Sequence, residues 1–158
     1  MKSKFLYVLG IFLVGVLFLF LITGGINNSR MLDKFGKEMT IYKTSTCGCC
    51  EVYASYFKSK GSSQVNVVTI QDNQKFMKEH GIPMSLESCH TTIIGNYFVE
   101  GHVPVEAIQK LLSEKPDIRG IGLSGMPTGS PGMPGAKSGD FVILGVNNNG
   151  NTFEFMRI

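Results

Sequence analysis

The chain has no tryptophan, no internal repeat and no lysine- or arginine-rich run. Its net charge is only +3 over 158 residues, so the electrostatic footprint of a nucleic-acid-binding protein is missing and nucleic acid is not an expected partner. No two histidines have the H-E-x-x-H spacing of a helical zinc site. Cysteine is scarce as well, with four residues in all: Cys47, Cys49, Cys50 and Cys89. Three of these fall within "TCGCC". Any bridge among those three closes almost no loop, whereas a scaffold disulfide stabilises by closing a long one. A structural disulfide framework is therefore a poor reading, and the cluster points to chemistry.

The other conspicuous presence is at the N-terminus. Residues 5–25, "FLYVLGIFLVGVLFLFLITGG", carry no charge. That is about the 20 residues needed to span a bilayer, and longer than the usual signal-peptide core of roughly 7–15. "LITGGINNS" is a poor cleavage site, which favours an uncleaved signal anchor over residues 1–25 rather than secretion after cleavage. Lys2 and Lys4 precede the run and only Arg30 follows soon after. The positive-inside bias then keeps the short N-terminus in the cytoplasm and the remainder outside, in the periplasm or at the cell surface. Residues 26–38 read as a polar linker, and residues 39–158 as one domain.

Within that domain, 39–46 reads as a strand. Residues 51–61 read as a helix capped at Gly61, and 65–70 as a second strand. A second helix is expected over 72–81. Residues 91–101 read as two strands joined at Gly95-Asn96, a two-residue hairpin signal. Residues 105–115 have Ala107, Ile108, Leu111 and Leu112 on one helical face, with Pro104 in the first turn and Pro116 as the stop. Residues 120–139 are rich in glycine and proline and read as a long loop. The chain closes with a hairpin around an Asn-Gly-rich turn. The order is β-α-β-α-β-β-α, then a loop and a hairpin. A cysteine motif between the first strand and the first helix is the thioredoxin-like arrangement, so the expected fold is α/β: a thioredoxin-like domain with an extra C-terminal β-hairpin, preceded by one transmembrane helix.

A helix beginning near Cys50 places the thiols at its N-terminus, where free N–H groups and the helix dipole favour thiolates. A thiolate is both a nucleophile and a metal ligand. Cys47 and Cys50 have the C-x-x-C spacing of thiol oxidoreductases. Cys49 is surplus to a dithiol enzyme but useful to a thiolate-rich site for Cu(I) or zinc. In a thioredoxin-like fold, the turn before the third strand faces the cysteine motif, and here it carries Cys89. Met126 and Met133 lie in the Gly/Pro loop, as gap fillers or as thioether ligands suited to Cu(I). His80 reads as a surface residue. His90 and His102 are ordinary polar residues or participants in the site.

The motifs "YKTSTCGCC", "LESCHTTIIGNYFVEGHVP" and "GMPTGSPGM", in that order, resemble the DUF411 family of CopG-like copper-resistance proteins. The resemblance covers roughly residues 40–155. It implies an exported thioredoxin-like domain, often encoded near copper-efflux genes, that binds Cu(I) through Cys47, Cys49, Cys50 and Cys89. Met126 and Met133 are implied with less force. A departure from the family is Tyr53, near where relatives often carry tryptophan. The leading expectation is an extracytoplasmic Cu(I)-binding protein of copper tolerance whose thiolates bridge several copper ions, with a copper-efflux or copper-chaperone protein as partner. The alternative is a thiol–disulfide or copper oxidoreductase using Cys47 and Cys50. A structural zinc site would leave the methionine loop unexplained.

Overall fold

The computed structural model describes residues 39–60, 62 and 65–158, together with the isolated Gly15. Apart from Gly15, the anchor expected over 1–25, the linker over 26–38 and the cap expected at Gly61 lie outside the described residues. Among those that are described, no helix is long and apolar enough to cross a membrane.

In chain order the elements are β1 (Met39–Thr44), α1 (Cys49–Ser59), β2 (Val65–Ile70), α2 (Asn73–Glu79), β3 (His90–Ile94), β4 (Tyr97–Glu100), α3 (Val105–Glu114), β5 (Gly120–Gly122), β6 (Val142–Val146) and β7 (Thr152–Arg157). The seven strands form one sheet in the order β2-β1-β3-β4-β5-β6-β7. β1 runs parallel to β2 and antiparallel to β3, and β4 runs antiparallel to β3. β5 extends this sheet parallel to β4, and β6 and β7 follow as an antiparallel hairpin. The protein is thus mixed α/β, with the expected C-terminal hairpin in place.

Strand alternation decides which side chains meet which helix. On β1, Met39, Ile41 and Lys43 are the buried set. Met39 and Ile41 join Tyr53 and Phe57 of α1 and Ile108 and Leu111 of α3 in the main core. Tyr42 points to the other face and stacks on Phe76 of α2, with ring centroids 4.5 Å apart. A smaller cluster there gathers Met77, Ile82, Leu86, Phe98 and Val146. Lys43 continues the core-facing register of β1 to the end of the strand that leads into the cysteine loop, which is why a lysine is buried there.

Two boundaries differ from expectation. α1 starts at Cys49, with Gly48 at the cap position and no side chain capping it. The segment expected as a loop over 120–139 opens with a strand, β5. Its Gly120 is required by close approach: a Cβ there would stand 2.2 Å from the Phe98 carbonyl oxygen. Glycine in this strand serves packing against a neighbouring backbone, although in sequence it reads as a loop signal.

Candidate metal centre

The end of β1, the start of α1, the turn before β3 and the segment after β4 converge at one end of the sheet. Cys47 and Cys50 are buried and joined in a disulfide. Cys49 and Cys89 are free and half-buried. The Cys49 sulfur lies 3.5 Å from that of Cys47 and 3.4 Å from that of Cys89. The Cys50 sulfur lies 3.9 Å from the Cys89 carbonyl oxygen. All four sulfurs fall within 4.8 Å of one another. Cys89, forty residues from Cys49, is thus brought to the loop by the chain path.

Two buried imidazoles line the Cys89 side. His102 Nε2 is 3.1 Å from the Cys89 sulfur and His90 Nδ1 is 3.3 Å from it. His102 Nδ1 donates to the Pro131 carbonyl at 2.7 Å. That bond assigns the proton to Nδ1 and leaves the Nε2 lone pair facing the sulfur, the arrangement that orients a ligating histidine. Cys89, His90 and His102 form a second group of donors of the same compactness. The Tyr53 ring packs against both imidazoles, with centroids 4.5 Å from His90 and 5.4 Å from His102. His80 is elsewhere, stacked on Phe76 with its Nδ1 at the Phe76 carbonyl.

Burial dominates the electrostatics. It pushes the Cys89 thiol up to about 12, helped by its bond to Cys49. Burial, with the neighbouring His102, pulls His90 down to about 3. It also lowers His102. Both rings are therefore neutral near pH 7, the form that donates a lone pair to a metal. Lys43 supplies the positive charge on the opposite side. Its ammonium donates to the Cys47 carbonyl at 3.4 Å and pairs with Glu51 of α1 at 3.2 Å.

The Gly/Pro loop is strapped across this end. Ser88 donates to the Gly125 carbonyl at 3.0 Å, and Pro131 accepts from His102. Gly132, at φ +84°, sits so close that a Cβ would stand 3.0 Å from Tyr53 N and 3.2 Å from the Cys49 carbonyl oxygen. Met133 follows directly and is half-buried, whereas Met126 is 51% exposed on the rim. The loop backbone is therefore at the site, while the Met126 side chain faces outward. Sequence reasoning passed over Lys43, Glu100 and the strap contacts of Pro131 and Gly132. The only signal for them was their position within or beside the cysteine and histidine motifs.

The DUF411 family model, described as a protein of unknown function, matches residues 86–133. Two solved structures are similar, each named copper resistance protein CopG. The one called Form 2 is 32% identical, covers 76% of this chain and 96% of its own, and superposes with a TM-score of 0.70. The one called Form 1 is 31% identical, covers 76% and 95%, and gives a TM-score of 0.65. No curated protein matches. With an identity of 32% and nearly the whole of that relative covered, the chain belongs to the DUF411 family of CopG-like copper-resistance proteins.

Proposed function

We propose that this chain is a membrane-anchored, extracytoplasmic Cu(I)-binding protein of copper tolerance, built on a thioredoxin-like domain. The strand order β2-β1-β3-β4, with the cysteine motif between β1 and α1, supports that fold reading. One observation carries the function: four cysteine sulfurs within 4.8 Å of one another. With metal–thiolate bonds of about 2.3 Å, a metal between two sulfurs holds them at most about 4.6 Å apart. The four sulfurs thus fit bridging copper after small shifts. Sulfur and imidazole are the donors that Cu(I) prefers. Copper here is cargo, handed on to a copper-efflux or copper-chaperone protein.

The closed Cys47–Cys50 pair sets a condition on loading. Two electrons and two protons must first convert that disulfide to two thiols, and each thiol that then takes copper releases its proton. Metal analysis of the full-length protein, reduced and purified anaerobically in detergent with copper and zinc both offered, tests the reading. Copper bound in preference to zinc is expected. Zinc without copper would overturn it. The location has its own test: the protein should stay in the membrane pellet after a high-salt wash, and release of a shortened form would show cleavage and secretion instead.

The Cys47–Cys50 disulfide at the α1 N-terminus favours a second reading, a copper or thiol–disulfide oxidoreductase. In the copper reaction two Cu(II) ions each take one electron, the dithiol closes to the disulfide, and two protons leave. Anaerobic mixing of the reduced protein with excess Cu(II), with a Cu(I) chelator counting the Cu(I) formed and peptide mapping following closure of the disulfide, tests it. Two Cu(I) per disulfide closed are expected, and Cu(II) left unreduced would overturn it.

A further inference from the structure

Glu100 ends β4 with no exposed surface. Burying a carboxyl group is costly unless its oxygens are bonded, and both are. One accepts the Ser88 backbone N–H at 3.0 Å, and the other accepts the Thr91 hydroxyl. Ser88 and Thr91 flank Cys89 and His90 directly. Backbone bonds bring the partners together: Thr91 faces Glu100 across the β3–β4 ladder, and the Gly101 N–H bonds to the His90 carbonyl at 3.0 Å. The Glu100 carbonyl in turn accepts from Leu123, where the strap begins. One side chain therefore grips the Cys89 turn on both sides, from within the fold. Holding β3 against β4 needs no carboxylate, because the ladder does that already.

We infer that Glu100 is the positioning residue of Cys89: its carboxyl group holds the turn at Ser88 and Thr91, so that the Cys89 sulfur stands 3.4 Å from that of Cys49. The inference deepens the proposed function, resting on Cys89 as a working thiol of the site, but its test uses no copper. Diamide joins two thiols, becoming a hydrazine as the disulfide forms. Applied to the full-length protein with Cys47–Cys50 already closed, it should rapidly close Cys49–Cys89. Peptide mapping of quenched samples gives the rate. Glu100→Leu should slow closure by at least about tenfold, since an ångström-scale misplacement of reacting groups costs that much or more. Alkylation of Cys49 by iodoacetamide should stay at its wild-type rate. Glu100→Gln keeps an acceptor for Ser88, and its amide can donate to the Thr91 hydroxyl, so it should restore closure to within about twofold. Thr91→Val removes one of the two grips at nearly constant volume and should slow closure by about fivefold, the worth of one hydrogen bond.

A folded Glu100→Leu protein that closes at the wild-type rate would overturn the inference. So would Glu100→Gln being as slow as Glu100→Leu. Should Glu100→Leu fail to fold, wild-type closure in Thr91→Val would overturn it alone. Wild-type protein that crosslinks as expected but takes no copper would sink the proposed function and leave the role of Glu100 standing.

Discussion

The two halves of the sulfur site are built in opposite ways. The near half, Cys47 to Cys50, is one turn of chain ending a strand and starting a helix. It is held covalently and has a lysine beside it. The far half, Cys89 with His90 and His102, is assembled from two separate segments, the turn before β3 and the stretch after β4, and held by a buried polar network. Its groups are shifted mainly by burial. The near half therefore keeps its thiols together even where packing is disturbed. The far half has its geometry only while the whole fold stands. The buried sulfurs of Cys47 and Cys50 are the bonded ones, and the half-buried sulfurs of Cys49 and Cys89 are free, so an arriving metal meets one free thiol from each half.

The largest expected effect lies in the near half. Cys47→Ser and Cys50→Ser should each lower the Cu(I) affinity of the reduced protein by more than about 100-fold, beyond what changes outside the ligand shell produce. Competition against a Cu(I) chelator measures it. Cys49→Ser should also weaken binding. A silent Cys49→Ser variant, in both binding and copper tolerance, would turn the near half into an ordinary dithiol pair and strengthen the enzyme reading.

In the far half, Cys89→Ser should lower copper stoichiometry, or affinity by roughly 10–100-fold, with an unchanged circular-dichroism spectrum. Full copper loading of that variant would reduce Cys89 to a packed thiol and shrink the site to the near half.

The far half should also set how stability responds to pH. Burial raises the Glu100 carboxyl from 4.5 to about 8. The folded state then holds a proton that the unfolded state releases, so stability is lost as pH rises from about 4.5 through about 8. His90 runs the other way, lowered from 6.5 to about 3, so stability is lost as pH falls from about 6.5 through about 3. The two trends oppose each other between 4.5 and 6.5. Above 6.5 the Glu100 loss stands alone, on the order of one or two kcal/mol at about 1.4 per pKa unit. Urea unfolding at pH 6.5 and 8 should show it in the wild type and not in Glu100→Gln. A wild-type curve flat over that window would contradict the buried acid.

The smallest effect belongs to the contact that joins the halves. Gly132→Ala forces a Cβ against α1 at φ +84°. It should cost about 1–2 kcal/mol, the penalty of a side chain in the left-handed region, and should speed copper release to a chelator. An unchanged melting temperature and release rate would show that the strap adjusts freely.

The legibility of the chain follows the same division. α3 and the β3–β4 hairpin were readable because apolar spacing and Gly95-Asn96 are local signals, and the near half was readable because its thiols adjoin. β5 was not, because Gly120 serves packing against Phe98, a neighbour the sequence does not reveal. The place of Cys89 followed from the expected thioredoxin-like chain path, not from its spacing. Glu100 was not legible, since its burial arises only when the Ser88 turn and the segment at Leu123 close over it. The state of His102 depends on Pro131, 29 residues away. The sequence placed both methionines in one Gly/Pro loop, but outward-facing Met126 shows that loop membership does not fix side-chain direction.

Tyr53 is buried, donates its hydroxyl to the Val103 carbonyl at 2.8 Å, and touches both imidazoles of the far half. Because the chain has no tryptophan and only five tyrosines, its ultraviolet emission comes from phenol rings alone, and one of those rings is packed against the proposed cargo site. Under the proposed function, copper taken up beside it would change the emission of that ring by proximity, without an indole signal to mask the change. The protein would then carry its own optical gauge of occupancy, readable without a label.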